Sequence, residues 1–347
     1  MRLLWILLLI GYLSAKQWDY QFEKDTCKNL IKPHCVDGIY YNHKLEVLDK
    51  AYFSEMISYF GGLFTSPTRL AIPFFYARTA FEPSEKGLSI YWVGHSTCII
   101  QMEGLTILTD PCFSDCYPML GTTLFKRHTL AAIAVDKLPK IDVLLISHNH
   151  YDHLDEKAVY HLLEHQPQVI VPLGLKQWFE SKGFLNVIEH NWWDNTTAKD
   201  FENNKITFTC LPAQHGSIAR DEMKQNQSLW CSWMLSSKDN TVYFSGDTGF
   251  KEDIFYQIKS QFPQIDVALI GVGPSNNNEQ HLDPHHAFIV SRILLAKKMI
   301  PIHWGAFRFD NAYLEDPILQ LRSYFEKFPD CKDDYYELLI GDTYPSL

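Results

Sequence analysis

Residues 146–155, with the sequence ISHNHYDHLD, decide the fold of this chain. They follow the apolar run 141–146, which is typical of a strand buried on both faces of a sheet. A turn at the end of such a strand exposes successive side chains at the edge of the sheet, where functional groups gather. Imidazole nitrogen and carboxylate oxygen are ligands of zinc in catalytic sites. Four candidate ligands lie in this turn, enough to serve two metal ions: His148, His150, Asp152 and His153.

Three further candidate ligands each follow an apolar run that predicts a strand. They are His215, Asp247 and His303, after the runs 206–211, 241–245 and 300–302. Because each stands at the carboxyl end of a strand, all three can converge on one edge of the fold. Each alone is also explained as an ordinary buried histidine or as an aspartate in a turn before glycine. Together, and in this order, they favour a dinuclear metal site over a chance cluster.

The wider pattern predicts an α/β fold of the α+β kind, with two mixed sheets in the middle and helices outside. The strand-like runs 88–93, 97–102 and 105–108 are separated by glycines, as in an antiparallel meander. From residue 141 onward, strands alternate with helices, and two of the expected helices span 175–184 and 287–299. Three regions are expected: a signal or anchor over 1–15, an aromatic-rich extension packed on the core over 16–85, and the main domain over 86–347.

Composition narrows the class of function. The formal net charge is -10 and no long run of Lys or Arg is present, which argues against a nucleic-acid groove. An acidic chain can still bind an anionic substrate where metal ions supply the positive charge. The eight cysteines show no metal-type spacing. Cys112 with Cys116, or Cys27 with Cys35, could close a disulfide bridge in an oxidising compartment, and the sequence does not decide between bridges and free thiols.

The sequence predicts a targeting signal at the N-terminus, with an ordinary buried helix as the weaker alternative. Arg2 precedes an apolar run over 3–13 and a small residue at Ala15, which is the pattern of a secretory signal peptide. The run is too short to span a bilayer unaided, since spanning takes about 20 residues. Leu13 fits poorly at its position before a cut after Ala15, so an uncleaved anchor stays open. Both interpretations predict a protein that is exported (periplasmic, luminal or secreted) or membrane-associated.

The order HxHxDH…H…D…H resembles the ligand pattern of the metallo-β-lactamase superfamily. The surrounding residues are most similar to the branch of the N-acyl-phosphatidylethanolamine-hydrolysing phospholipases D. Besides the decisive turn, the matching stretches are WVGHST at 92–97, LTDP at 108–111, PAQH at 212–215, FSGDTG at 244–249, HLDP at 281–284 and IHWG at 302–305.

The resemblance implies an αββα sandwich and two Zn²⁺ ions per chain. One zinc would be held by His148, His150 and His215. The other would be held by Asp152, His153 and His303, with Asp247 bridging both. The implied reaction is attack of a metal-bridging hydroxide on the phosphodiester of N-acyl-phosphatidylethanolamine, which gives N-acylethanolamine and phosphatidic acid. Asp247 and His281 are the expected catalytic residues under this interpretation.

The substrate end matches the family less closely. Gly216 stands where an aromatic residue is expected after the third histidine, and the loop around Asn276 replaces a bulkier stretch. Both positions are candidate pocket residues, although the asparagine run is equally explained as a solvated loop. Arg220 is a candidate phosphate contact through its bidentate guanidinium, although a lone arginine is more often solvent-facing. The expected partner is a phospholipid at a membrane surface, with no nucleic acid, and a homodimer is compatible with the sequence.

One residue is expected to support the ligands, and other functions stay open. Asp110 is a candidate for orienting a ligand imidazole, although a turn aspartate before proline explains it equally well. His95 begins a turn between two expected strands, a position that favours a structural hydrogen bond over a catalytic role. The alternative enzyme is a lactonase of the ascorbate-phosphate type, which shares much of the ligand set. A non-catalytic metal-binding module and a nuclease are weaker interpretations, because the ligands suffice for a dinuclear centre and a basic surface is lacking.

Overall fold

The fold is described from a computed structural model, in which the described residues are 30–43, 81, 87–119, 122–199, 205–218, 220–221, 223–274, 279–309 and 313–345. Ile31–Leu347 forms one compact unit. The expected signal or anchor, most of the aromatic-rich extension, Cys27 and Asn276 lie outside the described residues, so these expectations and the domain boundaries stay predictions. Among the described residues, no helix combines the length and apolar character needed to cross a bilayer.

The described residues contain short strands throughout and helices mainly in the second half of the chain. The strands are β1 His34–Val36, β2 Ile39–Tyr41, β3 Ser89–Gly94, β4 Thr97–Met102, β5 Leu105–Thr109, β6 Cys116–Met119, β7 Thr122–Phe125, β8 Val143–Leu145, β9 Gln168–Pro172, β10 Val187–His190, β11 Asn195–Lys199, β12 Lys205–Leu211, β13 Ser232–Ser236, β14 Thr241–Phe244, β15 Val267–Gly271, β16 Lys298–Ile302 and β17 Thr343–Tyr344. The α-helices are α1 Glu156–Leu162, α2 Lys176–Ser181, α3 Glu252–Gln261, α4 Pro284–Leu294 and α5 Asp316–Lys327.

Two large sheets carry the fold. The seven-stranded sheet has the order β10-β9-β8-β5-β4-β3-β17, and the six-stranded sheet has the order β11-β12-β13-β14-β15-β16. Each sheet is antiparallel in one part and parallel in the other, because β5, β8, β9 and β10 run in parallel and so do β14, β15 and β16. The predicted class, an α/β fold with two mixed sheets and helices, is confirmed.

The strands that precede the candidate ligands all run in one direction within their sheet. In the first sheet, β3 and β5 share a direction because each is antiparallel to β4, and β8 is parallel to β5. In the second sheet, β12 and β14 share a direction because each is antiparallel to β13, and β16 shares it because β14, β15 and β16 are parallel. The turns that follow them therefore gather at one edge of each sheet, where side chains can meet.

The strands of the core are apolar because they are covered on both faces. Every residue of β8 is buried, and Leu144 has no exposed surface. The first meander is equally enclosed, since all residues of β3 and β4 are buried. Burying a side chain such as Leu144 contributes roughly 1.5–3 kcal/mol, so the ligand turn is attached to a rigid strand.

Helix α4 ends earlier than the sequence predicts. A helix was expected over 287–299, whereas α4 spans Pro284–Leu294 and residues 298–302 form β16. The start is set by Asp283, whose side chain accepts a hydrogen bond from the His286 amide at 2.7 Å. The end is set by Leu295, whose left-handed backbone with φ 49° stops the helix. Apolar periodicity alone did not reveal that break.

The described cysteines carry free thiols. Cys112 and Cys116 are both buried, and the disulfide considered for this pair is not formed. Cys35 is also free and is exposed. Cys98, Cys210 and Cys231 are also buried free thiols.

Candidate metal centre

The structure brings all seven predicted ligands together at the edges of the two sheets. One group, whose donor atoms lie within 4.8 Å of one another, consists of His148, His150, His215 and Asp247. A second such group consists of His95, Asp152, His153 and His303. The turn after β8 contributes to both groups, and the turns after β12, β14 and β16 supply His215, Asp247 and His303.

Asp247 lies between the two groups. Its Oδ2 is 3.1 Å from His153 Nε2 and 3.8 Å from His215 Nε2. Its Oδ1 is 3.2 Å from His303 Nε2. This carboxylate therefore faces ligands of both groups, which is the geometry expected of a bridging residue. Which side chain holds which ion stays a prediction.

The donor atoms fit a metal ion because several are buried without a hydrogen-bond partner. In the described part of the chain this holds for His148 Nε2, His153 Nε2, His303 Nε2, Asp152 Oδ1 and Asp247 Oδ2. A buried polar atom left without a partner costs roughly 1–3 kcal/mol. Metal ligation would satisfy all of these atoms at once, and nitrogen and oxygen donors suit zinc as well as other transition metals.

Hydrogen bonds behind the ligands fix their orientation. Asp110 Oδ2 accepts a hydrogen bond from His153 Nδ1 at 2.7 Å and one from Ser147 Oγ at 2.6 Å. Asp110 Oδ1 accepts from the Ser147 amide at 2.7 Å. Asp110 therefore makes the contact expected of a residue that orients the imidazole of His153, a candidate ligand. Nδ1 of His148 is 2.8 Å from Ser147 Oγ, and Nδ1 of His215 is 2.9 Å from the carbonyl oxygen of Gln280. These contacts leave Nε2 of each histidine for the metal.

Burial and mutual repulsion prepare three histidines for ligation. Burial lowers the pKa of His148, His150 and His215, and the positive charge of neighbouring histidines acts in the same direction. The pKa values of His148 and His150 lie well below the ordinary value. Neutral imidazole is the form that binds a metal, so these side chains need lose no proton on ligation.

His153 has the opposite shift, because it lies among carboxylates. Burial lowers its pKa, but the charges of Asp247 and Asp152 outweigh burial and raise the pKa well above its ordinary value. Burial likewise raises the pKa of each carboxyl group, but the positive charge of His153 outweighs it and holds both pKa values well below the usual range. Ligation by His153 therefore requires release of its proton.

His95 belongs to the site, which sequence reasoning missed. Its Nε2 is 3.0 Å from Asp152 Oδ2, and its ring centroid is 4.0 Å from that of His303. Burial lowers the pKa of His95 to about 3. A structural hydrogen bond was expected, but not its partner, a candidate metal ligand. The available signal was its position directly after β3, the same kind of position that singled out the other ligands.

His281 lies at the rim of the cluster. Its Nδ1 is 3.5 Å from Asp247 Oδ2, and its ring centroid is 5.2 Å from that of His215. Burial lowers its pKa to about 3. The side chain keeps 14% of its surface exposed, so it is accessible from solvent while it borders the donor atoms. Its catalytic role stays a prediction.

The candidate substrate residues are in different surroundings. Gly216 follows His215 directly, and a Cβ added there would lie 3.3 Å from Asn226 Oδ1. Arg220 is buried rather than solvent-facing, and its Nη1 donates to the carbonyl oxygen of Leu154 at 2.6 Å. Its guanidinium lies 4.5 Å from the centre of the Tyr151 ring. These contacts support the ligand turn, and a phosphate contact for Arg220 stays a prediction.

Comparisons with known proteins agree with this geometry. Residues 106–304 match the family model described as a beta-lactamase superfamily domain. The chain is 34% identical over 263 residues to N-acyl-phosphatidylethanolamine-hydrolyzing phospholipase D 1 of Caenorhabditis elegans, an alignment that covers 72% of this chain and 73% of the relative. It is 36% identical over 262 residues to the mitochondrial N-acyl-phosphatidylethanolamine-hydrolyzing phospholipase D of Saccharomyces cerevisiae, covering 73% of this chain and 54% of the yeast protein.

A solved structure supports the fold independently. A metallo hydrolase from the archaeon Ignicoccus hospitalis matches with a TM-score of 0.57 at 18% identity, over 74% of this chain and 97% of that chain. At this identity the match shows the fold alone. The family model and the similar proteins identify a metal-dependent hydrolase. The chain belongs to the metallo-β-lactamase superfamily, in the branch that contains the N-acyl-phosphatidylethanolamine-hydrolysing phospholipases D.

Proposed function

We propose that this protein is a zinc-dependent phosphodiesterase of the phospholipase D type, which hydrolyses N-acyl-phosphatidylethanolamine to N-acylethanolamine and phosphatidic acid. The observation that carries the proposal is the pair of donor groups joined by Asp247, since its Oδ2 lies 3.8 Å from His215 Nε2 in one group and its Oδ1 lies 3.2 Å from His303 Nε2 in the other. The names of the relatives at 34% and 36% identity support this substrate over other phosphodiesters.

The reaction transfers the phosphatidyl group to water. The water oxygen bonds to phosphorus, the bond from phosphorus to the ethanolamide oxygen breaks, and the proton of the water ends on that leaving oxygen. Bound metal ions supply a nucleophilic water at neutral pH and stabilise the charge that develops on the phosphoryl group. Asp152 and Asp247 lower the positive charge that two metal ions would bring into a buried site.

His281 is placed to contact the phosphoryl group. It borders Asp247 and keeps part of its surface exposed. A neutral imidazole has one N–H to donate and one nitrogen to accept. In the proposed reaction His281 donates a hydrogen bond to a phosphoryl oxygen and orients the substrate at the rim of the cluster. Its substitution should therefore lower turnover more than it lowers metal content.

An apolar recess beside His303 supports a lipid substrate. The cavity has a volume of about 30 Å³ and is partly open to solvent. Its lining includes His303, Trp304, Phe307, Phe309, Leu314 and Pro317. The recess begins at a candidate metal ligand, so an apolar part of the substrate that rests against its wall would remain next to the reacting phosphodiester. A pocket that is mostly apolar with a few polar groups is typical of small-molecule sites.

Lipid turnover by the purified zinc-loaded protein tests the proposal. Vesicles that contain N-acyl-phosphatidylethanolamine should yield N-acylethanolamine and phosphatidic acid, and Asp247→Ala should abolish the release with the fold retained in circular dichroism. His161→Ala, a change of an exposed histidine on α1, serves as the control and should leave turnover unchanged. Turnover of a lactone without release from the phospholipid would refute the proposal in favour of the lactonase. Unchanged turnover in Asp247→Ala would refute the assigned centre.

A further inference from the structure

Asn42 binds both main-chain groups of the candidate ligand His215. The Asn42 Oδ1 accepts a hydrogen bond from the His215 amide at 3.1 Å, and its Nδ2 donates to the His215 carbonyl oxygen at 2.8 Å. Both residues are buried. A side-chain amide that bonds both groups of one residue replaces the pairing that a neighbouring strand would give.

His215 depends on such contacts because it lies outside the sheet. Strand β12 ends at Leu211, and the chain has left the ladder four residues before it presents the imidazole. The ring itself is held at Nδ1 by the Gln280 carbonyl oxygen at 2.9 Å. The main-chain amide and carbonyl are held by Asn42. These bonds together set where Nε2 points.

Asn42 is itself held in place from the opposite side. The indole Nε1 of Trp230 lies 3.2 Å from Asn42 Oδ1 and 3.0 Å from the Ala213 carbonyl oxygen, so it bridges Asn42 and the start of the His215 loop. Trp230 is almost fully buried. The position of the asparagine amide is therefore determined by the core and not by its own backbone alone.

The N-terminal segment around Asn42 is anchored to the same loop and to the core. The Tyr40 amide donates to the Asn226 carbonyl oxygen at 2.8 Å, and Asn226 Oδ1 accepts from the Ser217 amide at 2.8 Å. At the start of the segment, the Ile31 amide donates to Gln257 Oε1 at 2.8 Å. The segment 31–42 thus lies against the residues just beyond His215, although it precedes the part of the chain that matches the family model, 106–304.

We propose that Asn42 is a positioning residue for the metal ligand His215, so that the segment 31–42 is a working part of the metal centre. The proposal rests on the metal site assigned above and not on the identity of the substrate. Loss of the Asn42 amide frees the His215 main chain to shift, and the imidazole nitrogen moves with it. Substituting groups that orient a metal ligand typically lowers metal affinity by about 10- to 100-fold.

Zinc binding to the metal-free protein tests the proposal without any substrate. Asn42→Ala and wild type are titrated with Zn²⁺ in competition with a chromophoric chelator, and the melting temperature of each metal-free protein is recorded. We expect the affinity of one zinc equivalent, that of the ion assigned to His148, His150 and His215, to fall by about 10- to 100-fold. The other equivalent should be unchanged. Val36→Ala, in the same segment at an exposed position, should match wild type in zinc affinity and in melting temperature.

The outcomes separate positioning from a merely structural role. A lower melting temperature with unchanged zinc affinity would overturn the proposal, as would equal weakening of both equivalents. If Asn42→Ala does not fold, Asn42→Asp decides, because it keeps the acceptor for the His215 amide and loses the donor to its carbonyl oxygen. Unchanged affinity in that variant also overturns the proposal. A wild-type protein that binds zinc but does not hydrolyse the phospholipid refutes the proposed function and leaves this inference standing.

Discussion

Replacing Asp110 with asparagine changes one charge behind the metal centre and almost no volume. The amide oxygen of Asp110→Asn must take the place of Oδ1, because it accepts from the Ser147 amide at 2.7 Å. The new NH₂ group then stands where Oδ2 was, 2.7 Å from His153 Nδ1 and 2.6 Å from Ser147 Oγ. The new NH₂ group and the N–H at Nδ1 of His153 would then face each other as two donors. This clash is avoided only if the one proton of neutral His153 moves from Nδ1 to Nε2.

That change of tautomer determines how much zinc affinity the variant loses. A proton on Nε2 of His153 points at Asp247, 3.1 Å away, and blocks the nitrogen that would bind the metal. Losing a partner of this kind typically lowers metal affinity by about 10- to 100-fold. Since each factor of ten is about 1.4 kcal/mol, the expected loss is roughly 1.4–2.8 kcal/mol of zinc binding. The metal-free protein should still fold, because the Ser147 amide keeps its acceptor.

Competition with a zinc chelator measures this affinity, and Asp142→Asn is the matched control. Asp142 also accepts a main-chain hydrogen bond, from Thr106 at 3.0 Å, but it is not one of the candidate metal-site residues. We expect weaker zinc binding in Asp110→Asn and wild-type zinc binding in Asp142→Asn. Wild-type affinity in Asp110→Asn would refute the reasoning that the carboxylate selects the tautomer of His153.

Two further predictions concern stability and substrate choice. Burial lowers the pKa of His190 in the folded protein below 6.5. As the pH falls, the unfolded chain therefore takes up this proton before the folded chain does. The free energy of unfolding should decrease as the pH drops below 6.5 and should level off below the pKa of the folded state. His190→Gln should reduce this slope in denaturant unfolding of the metal-free protein, and an unchanged slope would contradict the assignment. Phe309→Ala removes an aromatic wall of the recess beside His303, which should raise KM for long-chain substrates by roughly tenfold and spare kcat. Phe328→Ala, at an exposed position, is its control, and an unaltered chain-length preference would reject the recess as the acyl site.

The fold was predictable from the sequence because its strands are apolar runs with clear ends. The runs 97–102, 105–108 and 206–211 agree with β4, β5 and β12 to within one residue. The ligand turn was recognisable for the same reason, since polar residues directly after a buried strand contrast sharply with it. Local pattern was sufficient wherever burial on both faces dictated the residue type.

What the sequence did not reveal depends on contacts between distant residues. The partner of His95 is Asp152, 57 positions away, and Asn42 meets His215 across 173 positions. Neither residue type is unusual in a turn, so local pattern could not distinguish these two from ordinary polar residues. The early end of α4 has a local cause of a different kind, because the left-handed Leu295 interrupts a helix that apolar spacing alone continues.

The candidate ligands come from both sheets: the turn after β8 belongs to the seven-stranded sheet, whereas His215, Asp247 and His303 follow strands of the six-stranded sheet. A metal ion shared by these residues is a cross-link between the two halves of the sandwich. By mass action, such a link stabilises the folded chain more as free metal becomes more abundant. Metal scarcity in a cell would then reduce the amount of this protein through turnover of unfolded chains, and not only the activity of each molecule.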